Sequence, residues 1–298
     1  MMIRIILNGK KAGLNEVRSA ISILRQESSG IEVRVTWEHG DGERLVKEAS
    51  QEGIQRIVAA GGDGTLNEIV NGIAKLESNK RPELAILPLG TANDFATSCN
   101  IPLDPLGALR LAVYGTTRAV DIVRANDRYF INVASGGFWA QVSADTPAQL
   151  KNVLGGGAYA LSAVVKSLTF IYNQGRLLAE GIELEGSTVM GAVCNGRQAG
   201  GGKILAPDAY INDGLLDVMI IFAFPVTELT QVIQEVLDPS FPGKYIKRFR
   251  TKWIEAWPQE TRSINLDGEP FLVDHIRFDV LPAEIQLVLP KDCPCIRR

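Results

Sequence analysis

Five carboxylates in glycine-flanked turns are the residues of this sequence with the clearest capacity for chemistry. They are Asp63, Asp94, Asp213, Asp267 and Glu269. A positioned carboxylate can accept the proton of a hydroxyl nucleophile, which typically contributes about a hundred- to ten-thousand-fold in rate. Because each of these residues alone more often forms a turn, the prediction of catalysis depends on the whole set.

Other catalytic groups are scarce. The chain has two histidines, His39 and His275, and it lacks the GxSxG and HExxH motifs of triad hydrolases and zinc proteases. Its four cysteines have neither CxxC spacing nor histidine partners, which predicts reduced structural thiols rather than a zinc site or a disulfide framework. They are Cys99, Cys194, Cys293 and Cys295. Carboxylate chemistry therefore remains.

The stretch "IVAAGGDGTLNEIVNG" (Ile57 to Gly72) runs an apolar strand into glycines and then into a helix. Glycines at such a junction let backbone N–H groups approach a phosphate, and the helix N-terminus adds partial positive charge. An ordinary turn, with Thr65 and Glu68 as a capping box, is the alternative. The Walker A pattern is absent, and a GxGxxG fingerprint would need glycine at Asn67. The stretch is thus a different kind of candidate phosphate loop.

Composition limits the class of protein. The 298 residues are 46% hydrophobic and 22% charged, which predicts a globular chain long enough for two domains. A net charge of -3 gives no overall electrostatic case for nucleic acid, and we predict no nucleic-acid partner. No apolar run reaches the length of a membrane span, and the N-terminus lacks the pattern of a signal peptide. We therefore expect a cytoplasmic protein.

The first third of the chain alternates apolar strands with amphipathic helices. Candidate strands are Ile3 to Leu7, Ile31 to Thr36, Arg56 to Ala60 and Leu84 to Gly90. The i, i+3, i+4, i+7 spacing predicts two helices with one buried face each, formed by Val17, Ala20, Ile21 and Leu24 and by Leu66, Ile69, Val70 and Ile73. The βαβ order predicts a parallel sheet, whose polar loops converge at the carboxyl edge of the strands. This convergence favours a nucleotide cleft.

From about Val120 the pattern changes to short strands separated by turns. They include "AVDIV", "RYFINVA", "TVMGAVC", "LLDVMIIF", "SINLDG", "IRFDVL" and "EIQLVL". Helical spacing interrupts them at Gly157 to Asn173 and Thr227 to Leu237. The prediction is an α/β protein with a parallel-sheet nucleotide-binding domain over residues 1–120. A β-rich, sandwich-like second domain follows over residues 121–298, and its last strand could return to the first domain.

Several motifs together identify a family resemblance. "GGDGTLNEIVNG" followed by "LPLGTANDFA" (Leu87 to Ala96) resembles the diacylglycerol-kinase catalytic superfamily. "NGRQAGGG", "APDAYINDGLLDV" and "NLDGEP" follow in the order and approximate spacing of that family, so the resemblance covers nearly the whole chain. NAD kinases share GGDG but do not usually carry LGTxNDFA. The resemblance is closest to bacterial YegS-type lipid kinases, which phosphorylate phosphatidylglycerol.

The resemblance implies roles for individual residues. ATP would be held by Thr36, Gly62, Asp63, Gly64, Thr65, Leu66, Asn67, Glu68 and Thr91. Glu269 would be the general base, Asp63 competes for that role, and Asp267 is close enough in sequence to share the site. The carbonyls of Tyr210 and Leu215 with the Asp213 carboxylate would hold Mg²⁺, and this oxygen set also suits Ca²⁺. Without the resemblance, Asp213-Gly214 would be interpreted as a hairpin turn.

A lipid substrate would require contact with a membrane. "KYIKRFRTKW" (Lys244 to Trp253) combines five basic and three aromatic residues without an acid. Such a segment suits an anionic membrane surface, and equally a solvated strand edge protected by its charges. The helix predicted at Gly157 to Asn173 is the other candidate lipid contact, or a helix that simply covers a sheet.

The sequence thus predicts an ATP-dependent lipid kinase that acts on a hydroxyl of a membrane lipid, with phosphatidylglycerol as the expected acceptor. The expected location is the cytoplasm, with transient peripheral contact at the inner membrane surface. An NAD kinase-like phosphotransferase is one alternative. A regulator that binds nucleotide or lipid without turnover is another, although the full carboxylate set argues against it.

Overall fold

The computed structural model describes residues 1–137 and 173–297, apart from residues 239 and 242. Within these residues, fifteen strands form one continuous sheet and two short strands form a second. The predicted α/β class is confirmed, with parallel strands in the N-terminal part and a β-rich C-terminal part. The helix predicted at Gly157 to Asn173 lies outside the described residues except for Asn173, which begins a strand.

The N-terminal part alternates strands and helices. The strands are β1 (Ile3–Asn8), β2 (Ile31–Thr36), β3 (Arg56–Gly61) and β4 (Glu83–Pro88). The helices are α1 (Asn15–Glu27), α2 (Asp41–Gln51), α3 (Asp63–Ala74), α4 (Asp94–Ser98) and α5 (Pro105–Tyr114). The strands pair in parallel in the order β2–β1–β3–β4. The order reverses between β1 and β3, which is where sheets of this kind bind ligands.

Apolar side chains cover both faces of the parallel sheet. On one face α1 and α5 pack against the strands, with Val17 and Leu24 fully buried. On the other face α2 and α3 pack, with Val46 and Ile69 fully buried. The four apolar positions predicted for the inner face of α1 are all buried, because the 3.6-residue period places them on one side of the helix.

Helix α3 differs from the prediction of one buried face. Its four apolar positions are buried as predicted, but nine of its twelve residues are buried in total. Asn67 and Asn71 donate to the Tyr129 carbonyl, with N···O distances of 3.1 and 2.7 Å. A Cβ on Gly72 would lie 3.0 Å from Val46 Cβ of α2. The helix is enclosed because α2 and the β-rich part cover the sides that the sheet leaves free.

Within the residues that the structure describes, the β-rich part supplies the remaining strands and one more helix. The strands are β5 (Thr116–Ala125), β6 (Arg128–Phe130), β7 (Val133–Gly137), β8 (Asn173–Ala179), β9 (Ile182–Cys194), β10 (Gln198–Ala199), β11 (Lys203–Ile204), β12 (Leu216–Phe222), β13 (Ile246–Thr251), β14 (Trp253–Pro258), β15 (Arg262–Leu266), β16 (Glu269–Val273) and β17 (Ile276–Leu289). Helix α6 (Leu229–Leu237) falls within the predicted segment. None of the helices in the described residues has the length and hydropathy needed to cross a bilayer.

Strand β17 connects the two parts. Two separate strands were predicted here, but the structure has one, whose register against β5 shifts between Leu281 and Ile285. Ala283 at this irregularity has a φ of +56°. Leu287 then pairs in parallel with Leu84 of β4. The irregularity changes the direction of the strand without ending it. A single sheet therefore continues from the β-rich part into the N-terminal part.

The buried Asp121 carboxylate secures this irregularity. Its two oxygens accept the N–H groups of Ala283 and Gly214, each at 2.8 Å. The Asp121 N–H also donates to the Ile211 carbonyl at 2.7 Å. Burial raises the pKa of Asp121, whereas the two backbone donors lower it. One side chain therefore ties β5 to β17 and to the loop that precedes β12.

We expect Asp121→Asn to lower the free energy of unfolding by about 1–3 kcal/mol, because an amide NH₂ would face one of the two buried N–H donors. Chemical denaturation of the purified chain measures the change. Asp274→Asn, on an exposed residue, is the matched control and should change stability little. Equal stability of the two variants would contradict the role of Asp121.

Candidate functional site

A wide cleft opens at the carboxyl edge of β1, β2 and β3. Its volume is about 1330 Å³. Six of the residues predicted to bind nucleotide line it together with the predicted base: Thr36, Gly62, Gly64, Thr65, Asn67, Glu68 and Glu269. The first six come from the N-terminal part, whereas Glu269 begins β16. The cleft is therefore built at the junction of the two parts.

Close backbone approaches shape the glycine turn after β3. A Cβ on Gly90 would lie 2.6 Å from the Gly62 Cα atom, and a Cβ on Gly64 would lie 2.8 Å from Glu269 Oε1. A larger residue at position 90 would meet the Gly62 backbone, so lack of space explains Gly90. At Gly64 the nearest atom is the end of the Glu269 side chain, which can move. The first turn of α3 lines the cleft at Gly64 and Thr65. This end of the helix carries partial positive charge and suits an anion.

The alternative capping box at the start of α3 does not form. The helix begins at Asp63, and its N-cap residue, Gly62, makes no side-chain cap. Thr65 Oγ1 instead accepts a hydrogen bond from Asn8 Nδ2 at 3.0 Å. The Glu68 carboxylate accepts the Gly40 N–H at the start of α2. Both side chains thus hold neighbouring loops around the cleft, because the helix starts earlier than a Thr65 cap would require.

Three of the predicted nucleotide-binding residues lie away from the lining of the wide cleft. The Leu66 side chain is 5% exposed and belongs to the hydrophobic core, so only its backbone is close to the turn. Thr91 is exposed in the loop after β4. Asp63 lines a second, smaller cavity. A sequence motif places neighbouring residues together, but the helical period turns their side chains in different directions.

The sequence analysis did not single out Trp37, which lies at the wide cleft and is 91% exposed. The Asp41 carboxylate accepts the N–H groups of Trp37 and Glu38, at 2.7 and 3.2 Å. The Trp37 N–H, the Arg44 side chain and the Glu38 N–H lower the pKa of Asp41 to about 2. The loop is thereby fixed with an aromatic ring at the cleft. An aromatic residue directly after Thr36, at a strand end, was the available signal.

The small cavity has a volume of about 190 Å³ and lies between the two parts. Asp63, Asp94, Asp267 and Lys203 are its charged lining residues. Burial, and then the charge of Asp94, raise the pKa of Asp63. Burial lowers the pKa of Lys203, and Asp94 opposes that change. The sequence analysis did not single out Lys203 as a site residue either. Its position directly after three glycines was the only signal in the sequence.

The Asp94 carboxylate orders the glycine segment that covers the small cavity. It accepts the N–H groups of Gly201 and Gly202 at 3.0 and 2.6 Å. These glycines have φ values of +81° and +89°, a conformation that other residues rarely adopt. The Asp94 carbonyl also accepts Gln198 Nε2 at 3.0 Å. Asp94 therefore acts as an anchor between α4 and the β10–β11 segment.

Both oxygens of the buried Asp267 carboxylate are occupied. Oδ1 accepts the N–H groups of Asn132 and Val133, and Oδ2 accepts those of Ile131 and the Asn67 amide, at 2.9–3.2 Å. Burial raises the pKa of Asp267 to about 6, against the four donors that lower it. The residue joins the turn before Glu269 to α3. This saturation suits a positioning role better than proton transfer.

The three oxygen donors predicted to bind metal are one carboxylate and two carbonyls, which suit a hard cation. In the structure, Asp213 Oδ2 lies 3.4 Å from the Arg250 guanidinium, and Oδ1 accepts the Leu215 N–H at 3.2 Å. Arg250 also pairs with Asp217 at 2.9 Å. The guanidinium therefore competes with any cation for Asp213. The described residues contain no cluster of three or more His, Cys, Asp or Glu side chains suited to a metal.

Most of the basic stretch Lys244 to Trp253 forms β13 and the start of β14, and among the described strands β13 pairs with β12 alone. Several of its cations already have partners. Arg250 binds Asp217, and Arg248 donates to the Glu235 carbonyl at 2.9 Å. Lys247 and Lys252 are exposed. Arg248 and Arg250 thus stabilise the fold locally, and both interpretations of the stretch stay predictions.

The raised pKa of Asp267 predicts that the free energy of unfolding depends on pH. This pKa is about 6 in the fold and about 3.9 in the unfolded chain, so the folded state holds a proton to higher pH. The stabilisation that the folded state gains by binding this proton is fully present below about pH 4, and it is lost as the pH rises through about 6. We expect the wild type to lose about 3 kcal/mol relative to Asp267→Asn over that range. Denaturant unfolding at several pH values measures it.

The Asp274→Asn variant serves as the control for that experiment. It should follow the wild-type pH profile because its carboxylate is exposed. Parallel profiles for the wild type and Asp267→Asn would show that the buried carboxylate does not retain a proton in the fold. That result would contradict the prediction, whatever the absolute stability of the variant.

Two family models match the chain and together cover most of its length. A diacylglycerol kinase catalytic domain matches residues 2–125. A YegS C-terminal NAD kinase beta sandwich-like domain matches residues 132–289. The first match contains the glycine turn and α3, and the second contains the β-rich part with Asp267 and Glu269. The predicted family is thereby confirmed over both parts of the site.

Individual proteins agree with the models. A Shewanella frigidimarina protein named "Probable lipid kinase YegS-like" is 44% identical over 99% of this chain and 96% of its own length. A Chromohalobacter salexigens protein of the same name is 45% identical over 96% of this chain and 93% of its own length. The crystal structure of a diacylglycerol kinase from Bacillus anthracis str. Sterne has the same fold, with a TM-score of 0.76, 22% identity and 98% coverage of both chains. This chain therefore belongs to the YegS-like lipid kinases of the diacylglycerol kinase catalytic family.

Proposed function

We propose that the chain transfers the γ-phosphate of ATP to a headgroup hydroxyl of a membrane lipid, and that phosphatidylglycerol is the acceptor. One observation carries the proposal: the glycine turn Gly62–Gly64 lies between two cavities of different size and charge. Gly62 and Gly64 face the wide cleft, whereas Asp63 between them faces the small cavity. A donor nucleotide and an acceptor could therefore meet on opposite sides of one turn.

The wide cleft suits the nucleotide. The N-terminus of α3 and the glycine backbone offer N–H groups and partial positive charge to phosphates. Lys10 at the end of β1 adds a cation to the lining, and Trp37 offers a ring for the base. Thr36, Thr65, Asn67 and Glu68 remain the proposed side-chain contacts, with the backbone of Leu66 and the exposed Thr91 nearby. Magnesium would enter with ATP as part of the substrate.

The small cavity suits the acceptor headgroup. Lys203 would meet the phosphodiester of the lipid, whose negative charge compensates a partly buried cation. Asp63 and Asp94 offer acceptors to the headgroup hydroxyls. Phosphatidylglycerol carries both of these features, a phosphodiester and a terminal glycerol. The choice of this lipid rests on the family resemblance, and the chemistry of the cavity supports it.

Glu269 is our proposed general base. Glu269 is exposed at the cleft, and its Oε1 atom lies beside Gly64, where a terminal phosphate would be held. Asp63, half-buried on the acceptor side, is the second candidate because its raised pKa favours proton acceptance. Asp267 would position both, since its lone pairs are already used. Transfer would require only alignment, proton removal and charge neutralisation.

Lipid access implies peripheral contact with the cytoplasmic face of the inner membrane. The exposed Lys247 and Lys252 of the basic stretch are the candidates for that contact, each contributing about 1 kcal/mol near an anionic surface. The other candidate, at residues 157–172, lies outside the described residues. We keep Tyr210, Asp213 and Leu215 as a candidate Mg²⁺ or Ca²⁺ site, through which no step of the transfer passes.

The test is phosphoryl transfer from γ-labelled ATP to separate mixed micelles of phosphatidylglycerol, diacylglycerol, sphingosine and ceramide, with NAD as a soluble acceptor. We expect label on phosphatidylglycerol. Label on another lipid would change the acceptor, and label on NAD alone would favour the NAD kinase-like alternative. Nucleotide binding without labelling of any acceptor would favour the regulator.

Variants in the same assay identify the base. Glu269→Gln should lower kcat by about a hundred- to ten-thousand-fold with little change in ATP affinity. Glu260→Gln is the matched control, because Glu260 is an exposed glutamate in the same part of the chain that pairs with Arg262. If Asp63→Asn removes the activity while Glu269→Gln retains it, the proton is received by Asp63 and the assignment to Glu269 is wrong.

Trp37 gives a separate prediction for the nucleotide. Stacking of a base on an aromatic ring is worth about 1–3 kcal/mol, so Trp37→Ala should weaken ATP binding by about fivefold to a hundredfold. Calorimetric titration measures the affinity, and Trp37→Phe should restore most of it. If the alanine variant binds ATP like the wild type, the base lies elsewhere in the cleft.

A further inference from the structure

Three of the four cysteines come together at the C-terminal end of the described chain. Cys99 directly follows α4 and is fully buried, whereas Cys293 and Cys295 lie in the segment after β17. Cys99 and Cys295 belong to one buried hydrophobic cluster, and the partly buried Cys293 packs against that cluster. Sequence spacing gave no sign of this cluster, because Cys99 is almost two hundred residues away from Cys293 and Cys295.

The segment that carries Cys293 and Cys295 is held in a defined position. Cys295 Sγ donates to the Ser98 carbonyl at 3.1 Å, and the Cys295 carbonyl accepts the Ile211 N–H at 2.9 Å. Arg197 Nη2 donates to the Pro294 carbonyl at 2.6 Å. The three thiols are therefore neighbours because of the tertiary structure.

The three thiols have different environments. Cys293 is partly exposed, while Cys99 and Cys295 are buried. Hydrogen bonds from the Cys295 and Cys99 thiols, the Cys295 N–H and the charge of Arg197 lower the pKa of Cys293. The interactions with its two neighbours and burial raise the pKa of Cys99. Cys293 is thus the most accessible of three cysteines that lie in one region of the fold, and a lowered pKa next to buried thiols is typical of oxidation-sensitive cysteines.

We propose that Cys293, the accessible member of the three, reacts with hydrogen peroxide and then forms a disulfide with Cys99. The thiolate displaces hydroxide from hydrogen peroxide and becomes a sulfenic acid. The Cys99 sulfur then attacks that sulfur, the S–S bond forms, and the sulfenic oxygen leaves as water with the Cys99 proton. In total, two thiols are oxidised to one disulfide while one peroxide is reduced to two waters. A thiol reductant reverses the bond.

Cys99 is the expected resolving residue for geometric reasons. Cys293 and Cys295 are separated only by Pro294, whose ring fixes φ, and a disulfide requires a restricted separation and orientation of its two residues. The Cys99 sulfur approaches from a different element and is free of that constraint. The bond would join the C-terminal segment to α4, the helix that begins with Asp94.

The experiment exposes the reduced full-length chain to limiting hydrogen peroxide, blocks free thiols with an alkylating reagent and maps tryptic peptides by mass spectrometry. Trypsin should release Cys99 in residues 81–110, and both Cys293 and Cys295 in residues 292–297. We expect a cross-link between these two peptides, with fragmentation assigning it to Cys293. A bond within residues 292–297, or one from Cys99 to Cys295, would overturn the proposal.

Cys194 provides the internal control. It is buried in β9, and burial followed by the charge of Asp217 raises its pKa. One pKa unit changes the thiolate fraction about tenfold, so Cys293 should be oxidised at least about tenfold faster than Cys194 in the same wild-type sample. Equal rates would overturn the proposal without any need for a variant.

Variants separate the two steps. Cys293→Ser should abolish the cross-link, and Cys194→Ser should leave it unchanged. Cys99→Ser should leave a sulfenic acid at Cys293 that dimedone labels. Absence of dimedone labelling on a variant with wild-type circular dichroism would contradict a peroxide-reactive Cys293. The outcome is independent of the kinase proposal, because no readout uses phosphoryl transfer.

Discussion

The Asp267 carboxylate is the interaction on which the arrangement of the site depends. It accepts three consecutive backbone N–H groups, from Ile131 to Val133, and the amide of Asn67 on α3. Four donors offset much of the cost of burying a charge. Asp267 itself has a φ of +49°, a conformation that Asp tolerates better than most residues. The turn and its contacts therefore place Glu269 against the glycine turn.

The continuous sheet gives this junction its stiffness. Strand β17 pairs with β5 and β14 on its β-rich side and reaches β4 at Leu287. An unpaired sheet edge at β4 would expose backbone donors and acceptors, and β17 covers it. The Asp121 carboxylate holds the irregular part of β17 to two other segments. Strand pairing within the sheet and the hydrogen bonds of Asp267 at its turn therefore both hold the two parts together.

Two glutamates of the wide cleft, Glu43 and Glu68, have partners that would limit repulsion of an anionic ligand. Glu68 accepts the Gly40 N–H, and Glu43 pairs with Lys75 at 2.6 Å. Asp63 and Asp94, by contrast, face the small cavity. The glycine backbone and Glu269 thus lie on one side of the glycine turn, and the Asp63 and Asp94 carboxylates lie on the other. A phosphotransferase needs phosphate-binding and proton-accepting groups within a short distance of each other.

The sequence by itself determined the alternation of strands and helices, the glycine turn and the set of carboxylates. Periodicity and turn formation depend on residues that are close in sequence, so a local pattern is enough to predict them. Only the tertiary structure decided how these residues are used. It buried nine of the twelve residues of α3, filled the acceptor positions of Asp267, paired Asp213 with Arg250 and brought three cysteines into one region. Asn67 meets Asp267 across two hundred positions, and such contacts follow from how whole elements pack rather than from any local pattern.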